Sequence, residues 1–433
     1  MEYSRTKYKF SQYNVLHQDN DTLYMWNTFS NALIKLDKKA QDYISNFSGT
    51  EDGSEKFKLL KNNGFIVFDK INEFGRICLQ QKQVLFSNSS NLSISIAPGM
   101  GCNYKCIYCF EASSDISGVM TYEIANDVVE YICKKLTNNE NVKSLFITWF
   151  GGEPLLYIDI IENLSRKIIS YAEVHNINYS AGIITNGRML DKISLKLLKE
   201  LHIDSVQITL DGIYNYYCKS KNATISDFNH VIENIEYCSD KINLSIRINI
   251  VNNDAHQAIK VTDFIFSNKN ISDTSSLYFA FLRDYTLKTN DARKAYINYV
   301  DNYLLWLDYI IKRYGTRRIR GLKPRRMLTH CGLVKSSNFC IGPYGELYRC
   351  QRNFGDFDRV SGDIWHGKYY NENEFLYYSL VDGSENQNCT QCDYLPICMG
   401  RCADYCVSSY DGFDCESFKR LHYKMKLIEG GIY

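Results

Sequence analysis

The sequence has few prolines, no long apolar run and no excess of charge of either sign. Only five of its 433 residues are proline, and the absence of long polar tracts argues against extensive disorder. No stretch of 18 or more apolar residues occurs, which argues against a membrane-spanning helix. Because 50 Lys and Arg residues face 49 Asp and Glu residues, we expect no general attraction to nucleic acid or to an anionic membrane.

Cysteine, by contrast, is abundant, with 16 residues. The N-terminal residues lack the basic and then apolar layout of a signal peptide, so we expect a cytoplasmic protein. In a reducing compartment, cysteines are more often metal ligands than disulfides. The length predicts two or three domains.

Four segments can be distinguished along the chain. Residues 1–80 combine strand and helix patterns, including TLYMWNT and GFIVFD, and predict a small module. It could capture a peptide by strand addition or simply extend the packing of the next domain. Residues 90–290 alternate β-branched or aromatic runs with helical patterns, which predicts a parallel α/β sheet forming a full or partial barrel.

The remaining two segments differ sharply in composition. Residues 291–330 hold an amphipathic helix pattern and the basic run TRRIRGLKPRR. We interpret this segment mainly as a bridge between domains, with an acidic peptide as an alternative partner for the basic run. Residues 331–425 are rich in cysteine and poor in helix or strand periodicity, so we expect them to need metal to fold.

A CxxxCxxC run, Cys102, Cys106 and Cys109, lies within MGCNYKCIYCFEA. Three thiolates on one short loop can hold three corners of a cubane iron–sulfur cluster and leave one iron open. Zinc is the alternative metal, but it prefers four ligands. Tyr108, inside the run, could stack on a flat ligand or cover the core.

Three further sequence patterns follow successive predicted strands: GGEP at 151–154, ITNG at 184–187 and QITLDG at 207–212. Ligands of parallel α/β sheets bind at the carboxyl ends of the strands, so these segments are expected to lie near the cysteine loop. Alone, GGEP could be an ordinary tight turn. Its paired glycines would let the backbone approach a ligand closely.

CNYKCIYCF, GGEP, ITNG and QITLDG, in this order, resemble the radical S-adenosylmethionine (SAM) superfamily over roughly residues 92–285. The resemblance implies that Cys102, Cys106 and Cys109 hold a [4Fe–4S] cluster whose open iron binds SAM. It implies that SAM cleavage there yields a radical able to abstract hydrogen. It also implies SAM contacts from Tyr108, Gly151, Gly152, Glu153, Pro154, Thr185, Asn186, Thr209 and Arg247, with Glu153 accepting from the methionine amino group.

The C-terminal cysteines resemble the SPASM extension of radical enzymes that modify peptides and proteins. The resemblance implies two auxiliary [4Fe–4S] clusters, three clusters in all. The ligands of the first would be Cys331, Cys340, Cys350 and Cys402, and those of the second Cys389, Cys392, Cys398 and Cys415. Cys406 is an additional candidate ligand, and structural zinc is the alternative for this region. The leftover Cys78, Cys133, Cys218 and Cys238 are predicted to be buried apolar residues.

SPASM enzymes include sulfatase maturases and peptide maturases. In the former, an aspartate follows the cysteine of the GxxxxC element, where this chain has Gln351. The implied fold is a partial (β/α)6 TIM-like barrel with a small winged-helix-like N-terminal module, which would bind a leader peptide, and a Cys-rich C-terminal iron–sulfur domain. Candidate strands for leader docking are YKFSQYNVL and TLYMWNT.

We therefore predict a maturase of ribosomally made peptides that installs a crosslink, above all a Cys-to-carbon thioether, as sactipeptide and ranthipeptide synthases do. Its partners would be a precursor peptide with a leader sequence and a one-electron reductant of the flavodoxin or ferredoxin type. Alternatives are carbon–carbon crosslinking, epimerisation and formylglycine formation. A non-enzymatic iron–sulfur electron carrier or a zinc-binding module is the alternative of another class.

Overall fold

The computed structural model describes residues 7–19, 21–86, 90–113, 118–284, 287–366, 371–380, 387–400, 402 and 413–432. The N-terminal part comprises strands β1 (Tyr8–Phe10), β2 (Asn14–Asp19), β3 (Thr22–Asn27), β4 (Leu33–Leu36) and β5 (Ile66–Phe68) and helices α1 (Lys38–Ser45), α2 (Glu55–Asn62) and α3 (Glu73–Phe86). Asp37 and Ser54 cap α1 and α2 by accepting from Ala40 N and Phe57 N, as helix starts favour.

The N-terminal strands form two small antiparallel sheets. β1 pairs with β5, and β3 lies between β2 and β4. TLYMWNT is thus the central strand of its sheet, and both of its edges are occupied. The prediction that a leader peptide docks on this strand is therefore wrong, because strand addition needs a free edge. The likeness of this module to a winged helix stays a prediction.

The middle of the chain alternates strands and helices as predicted. Its strands are β6 (Asn91–Ile96), β7 (Ser144–Trp149), β8 (Asn178–Thr185), β9 (Ile203–Leu210), β10 (Asn243–Asn249) and β11 (Ser276–Ala280). Its helices are α4 (Tyr122–Thr137), α5 (Ile158–Val174), α6 (Lys192–Glu200), α7 (Tyr214–Lys221), α8 (Ile225–Cys238), α9 (Ala255–Ser267) and α10 (Thr289–Tyr314). Neighbouring strands run parallel in chain order, because each crossover contains at least one helix.

The C-terminal part adds strands to the same sheet. Its elements are β12 (Phe339–Ile341), β13 (Glu346–Tyr348), β14 (Gly362–Asp363), α11 (Glu372–Leu380), α12 (Gln387–Thr390), α13 (Leu395–Cys398) and α14 (Cys415–Glu429). β12 pairs with β6 in parallel, and the strand order is β11-β10-β9-β8-β7-β6-β12-β13-β14. The predicted α/β class with a mostly parallel sheet is confirmed. The sheet crosses the predicted boundary near residue 330.

The core lies between the sheet and its helices. β6 and β7 bury Ile94, Ile96, Ile147 and Trp149 completely, as expected for strands covered on both faces. The amphipathic helix expected over 291–315 is α10, whose Trp306 packs into this core and donates to Thr262 Oγ1 at 2.9 Å. Among the described helices, none is long and apolar enough to cross a bilayer.

The N-terminal module packs against the C-terminal part. Trp26 meets the Tyr394 ring edge-on at 5.6 Å, and Thr28 Oγ1 donates to the carbonyl of Asp393. From the basic run, the Arg326 guanidinium lies 3.7 Å from the centre of the Phe29 ring. The basic run thus contacts the N-terminal module through Arg326, and its role as a bridge between domains stays a prediction.

Candidate functional site

The cysteine loop follows β6 and rests on the carboxyl end of α7. Ile107 N donates to the Ser220 carbonyl at 3.0 Å, and Lys105 N donates to the Lys221 carbonyl at 3.4 Å. At the start of the loop, Gly101 N donates to Tyr157 Oη at 2.9 Å. The loop is therefore held at its start by Tyr157 and near its middle by the end of α7.

The three thiols of the loop lie close enough to influence one another. Burial raises the pKa of the Cys106 thiol to about 11, with smaller upward contributions from Asp211, Cys109 and Cys102, while Lys221 lowers it. Burial of the Cys102 thiol raises its pKa too, although the residue as a whole is exposed. A positive ligand such as iron would lower both values, since a coordinating thiol is deprotonated.

The donor set fits an iron–sulfur cluster. Cys102 Sγ accepts from Tyr104 N at 3.4 Å and lies 3.8 Å from Asn186 Nδ2. Among the described residues, no three His, Cys, Asp or Glu side chains stand ready to hold a single metal ion. Three thiolates on one loop suit a cubane, in which each binds a different iron, whereas tetrahedral zinc takes four ligands at one ion.

The GGEP loop packs on the backbone that leads into the cysteine loop. A Cβ on Gly152 would lie 2.3 Å from the Gly101 carbonyl oxygen, and one on Gly151, whose φ is +110°, would lie 2.5 Å from that of Gly99. The close approach is present toward the protein backbone, and the SAM contacts predicted for Gly151 and Gly152 stay predictions. The glycines therefore position the cysteine loop.

Glu153 joins the GGEP and ITNG loops. Its side chain is completely buried and accepts from Thr185 Oγ1 at 2.7 Å, Asn186 N at 2.8 Å and Leu155 N at 3.1 Å. Burial raises the pKa of this carboxyl, against the lowering effect of its hydrogen bonds. A carboxylate has about four acceptor positions, so one remains for a donor such as an amino group. Pro154, also buried, opens the short 3-10 helix Pro154–Tyr157.

Asn186 connects the ITNG loop to the cysteine loop. Its Nδ2 donates to Asn103 Oδ1 at 2.7 Å, and its Oδ1 accepts from Arg188 N at 3.0 Å. The structure thus brings Glu153, Thr185 and Asn186 together beside Cys102. Asn103 was not singled out from the sequence, although its place between two ligand candidates was a signal.

The two predicted contacts on later strands lie next to each other. Thr209 on β9 pairs with Arg247 on β10. Arg247 Nε donates to Asn249 Oδ1 at 2.9 Å, and Asn249 in turn bonds to Tyr108. Tyr108 is half-buried and its hydroxyl also donates to Asp211 Oδ2, so its ring is anchored between the ends of β9 and β10.

A buried ion pair lies under the cysteine loop and was missed from the sequence. Lys221 Nζ stands 3.2 Å from Asp211 Oδ2, and the two side chains are 3% and 0% exposed. Within the part of the chain that the structure describes, Asp211 Oδ1 has no hydrogen-bond partner. Asp211 is the last but one residue of QITLDG and follows its strand, as expected, whereas Lys221 lies in the polar helix pattern YNYYCKSK, which resembles a surface helix.

A cavity of about 1130 Å³ opens beside the cysteine loop. One wall carries Tyr108 and Cys109, and another carries Asn252 and Asn253 beyond β10. The facing wall is the segment 352–358, which follows Cys350. The cavity is thus lined both by residues of the middle of the chain and by residues of the C-terminal part. The sequence patterns did not predict that residues 352–358 line this cavity.

Three of the four ligands predicted for the first auxiliary cluster come together. Cys340 on β12 is completely buried; burial raises the pKa of its thiol well above the ordinary value, and Cys350 and Cys331 add to the rise. Arg349 acts in the opposite sense on Cys340 and Cys331. Cys402, the fourth, is exposed.

Cys389 and Cys392, two of the four ligands predicted for the second auxiliary cluster, lie on one turn. Cys392 N donates to the Cys389 carbonyl at 3.1 Å, and the Cys389 thiol contributes to the raised pKa of Cys392, which is mainly due to burial. Cys398 ends α13 and Cys415 begins α14. Cys406 lies outside the described residues. The ligand assignments in both sets stay predictions.

Of the leftover cysteines, only Cys238 is fully buried, and its thiol lies 3.8 Å from the Leu190 carbonyl. The predicted burial is wrong for Cys78, Cys133 and Cys218, which are half-buried. Each lies on a helix that is partly exposed, Cys78 on α3, Cys133 on α4 and Cys218 on α7.

Comparisons with known proteins agree with this geometry. Residues 96–265 match the Radical SAM superfamily. The radical SAM cyclopropyl synthase TigE of Paramaledivibacter caminithermalis is 22% identical over 97% of this chain and 96% of its own length. The cysteine-type anaerobic sulfatase-maturating enzyme of Clostridium perfringens is 26% identical over 76% of this chain and 94% of its own. The solved structure of native anSMEcpe with bound AdoMet and Kp18Cys peptide superposes with a TM-score of 0.57 at 19% identity, covering 79% of this chain and all of that one.

Proposed function

We propose that this protein modifies a ribosomally made peptide. Residues 96–265 match the Radical SAM superfamily, and the relatives reported above are enzymes, so the chain is an enzyme that would use SAM and a [4Fe–4S] cluster. The modification we propose is a crosslink, a thioether from a cysteine of the peptide to one of its carbons. The SPASM-like cysteines would hold two further clusters. A flavodoxin- or ferredoxin-type protein would supply single electrons.

The observation that carries the proposal is the cavity between Cys109 and the segment 352–358. Its volume of about 1130 Å³ exceeds the usual range of roughly 300–1,000 Å³ for small-ligand pockets. SAM at the cysteine loop would therefore leave room for a peptide segment. Charged side chains of both signs, Arg283 and Asp356 among them, line the space and could orient that segment.

Residues of this chain would hold the cofactors. Cys102, Cys106 and Cys109 would ligate the cluster, and the remaining acceptor position of Glu153 would take the SAM amino group. When bound, this pair supplies hydrogen-atom abstraction from an unactivated C–H bond. The chain's own task is to place the peptide carbon at Tyr108 and Cys109 and to exclude water from the cavity.

Formylglycine formation is the less favoured alternative. Where sulfatase maturases carry an aspartate, this chain has Gln351, whose Nε2 donates to Ser95 Oγ on β6 at 2.7 Å. An amide fixed in this way cannot accept a proton from a substrate. The match to TigE also extends over nearly the whole chain, including residues 1–80, whereas the match to the sulfatase-maturating enzyme covers three quarters of it.

Carbon–carbon bond formation is a second candidate, favoured by the same near full-length match to a cyclopropyl synthase. Mass spectrometry separates the two. The protein is co-expressed with a candidate precursor peptide from a neighbouring gene, and the peptide is alkylated and fragmented. Loss of two hydrogens together with one alkylatable thiol supports the thioether. Loss of two hydrogens with all thiols free supports a carbon–carbon bond, and an unchanged peptide contradicts the proposed maturase.

A further inference from the structure

The middle cysteine of the loop stands over a buried positive charge. Tyr104 and Tyr108 lie two residues before and two residues after Cys106. The Tyr104 ring centre is 5.9 Å from Lys221 Nζ, and the Tyr108 hydroxyl donates to Asp211, the partner of that lysine. The side chains on both sides of Cys106 thus converge on one ion pair.

We propose that Lys221 is a positioning residue that holds the cysteine loop and raises the reduction potential of the cluster bound there. This inference rests on the proposed function, since it requires a cluster at Cys102, Cys106 and Cys109. Neither the radical SAM match nor the sequence patterns quoted above assign Lys221 a role.

Position and burial make the charge effective. Lys221 is 3% exposed, and its Nζ also faces the buried Tyr217 ring at 5.8 Å from the ring centre. Solvent therefore screens this charge much less than a surface charge. The Asp211 carboxylate, 3.2 Å from Nζ, stabilises the charged amine inside the protein.

The charge reaches the ligands of the predicted cluster. Lys221 Nζ is 5.9 Å from the ring centre of Tyr104, two residues before Cys106, and the Lys221 carbonyl accepts from Lys105 N, one residue before it. A positive charge that favours thiolate over thiol also favours the reduced cluster over the oxidised one, because reduction adds one negative charge at the same place. Asp211, at 0% exposure, acts in the opposite sense.

The backbone of the same residue supports the loop mechanically. The carbonyls of Ser220 and Lys221 accept from Ile107 N and Lys105 N, on either side of Cys106. One helix end therefore supplies both the attachment of the loop and the charge beneath it. Replacing the Lys221 side chain leaves these carbonyls in place, so the charge can be tested apart from the attachment.

The test is an anaerobic redox titration followed by electron paramagnetic resonance, with dithionite as the reductant. The signal of the SAM-binding cluster is identified by its change on adding SAM. Wild type is compared with K221M, K221R and D211N. K221R keeps the charge, and D211N still accepts from Tyr108 but loses the opposing charge.

We expect the K221M cluster to have a more negative midpoint potential. At the wild-type midpoint, its ratio of reduced to oxidised cluster should fall roughly tenfold or more, because a unit charge several ångströms away shifts an equilibrium by at least that factor at the effective dielectric of protein sites. K221R should titrate like wild type, and D211N should titrate at a more positive potential.

An unchanged midpoint in K221M overturns the inference. Should K221M assemble no cluster, D211N decides: a positive shift supports the charge effect, and a wild-type midpoint overturns it. The proposed function fails differently, because a wild-type protein without any SAM-responsive cluster signal contradicts the cluster site itself and leaves nothing for Lys221 to tune.

Discussion

Replacing Arg349 should dismantle the loop that carries Cys331 while leaving the rest of the fold in place. The Arg349 side chain is completely buried. Its guanidinium donates to the carbonyls of Asn338 at 2.5 Å, Lys335 at 2.8 Å, Leu333 at 3.0 Å and Val334 at 3.1 Å. One side chain therefore satisfies four backbone acceptors of a segment with little regular structure.

The expected cost follows from these contacts. A hydrogen bond to a charged group contributes about 1.5–3 kcal/mol, so loss of all four in R349M should cost on the order of 5 kcal/mol or more. That is comparable to the whole stability of a typical domain, ~5–15 kcal/mol. R349K should be intermediate, because an ammonium has only three donors. The exposed Arg325 provides the control variant R325M.

Thermal unfolding and iron and sulfide content measure the effect. Wild type with three cubane clusters should hold about twelve iron atoms per chain, and R349M should lose about four of them, together with its earliest unfolding transition. R325M should match wild type. An R349M protein with wild-type iron content and an unchanged unfolding profile would refute the reasoning.

Two smaller predictions concern the loops beside the clusters. G152A should lower iron content and SAM binding, because its Cβ would lie 2.3 Å from the Gly101 carbonyl oxygen. G332A is the control: its Cβ would meet nothing within 4 Å, so iron content and SAM binding should stay at the wild-type level. Equal iron content in the two variants would contradict this prediction. Burial raises the pKa of the Glu346 carboxyl to about 7, so the native state binds its proton more tightly than the unfolded state. The resulting stabilisation is complete below the ordinary pKa near 4.5 and is lost as pH rises through 7. Chemical unfolding from pH 5 to 8 should therefore show a loss of about 1–3 kcal/mol in wild type that E346Q lacks, and parallel pH profiles would argue against it.

The repetitive part of the fold could be predicted because its signal is local. Each strand from β6 to β11 is a short β-branched or aromatic run, and each helix between them shows an apolar face. The same local signals placed Cys102, Glu153 and Asn186 at the ends of neighbouring strands, where the structure brings them together. Strand order then follows from the short parallel crossovers.

What the sequence could not show depends on contacts between distant segments. β12 is three residues long and pairs with β6 more than 200 positions earlier, so no local pattern marks it. Lys221 resembles a surface lysine until α7 is packed under the cysteine loop. The paired glycines of GGEP pack closely on the backbone of Gly99 and Gly101, a contact that no local pattern marks.

The central claim is that the cysteine loop is where SAM is cleaved. The most direct measurement is 5′-deoxyadenosine release from SAM under dithionite, in strict anaerobic conditions, by wild type and by C102A/C106A/C109A. We expect steady release by the wild-type protein and none by the triple variant, whose circular dichroism should show the fold retained. Undiminished release by the triple variant, or no release by a wild-type protein loaded with iron and sulfide, would contradict the account.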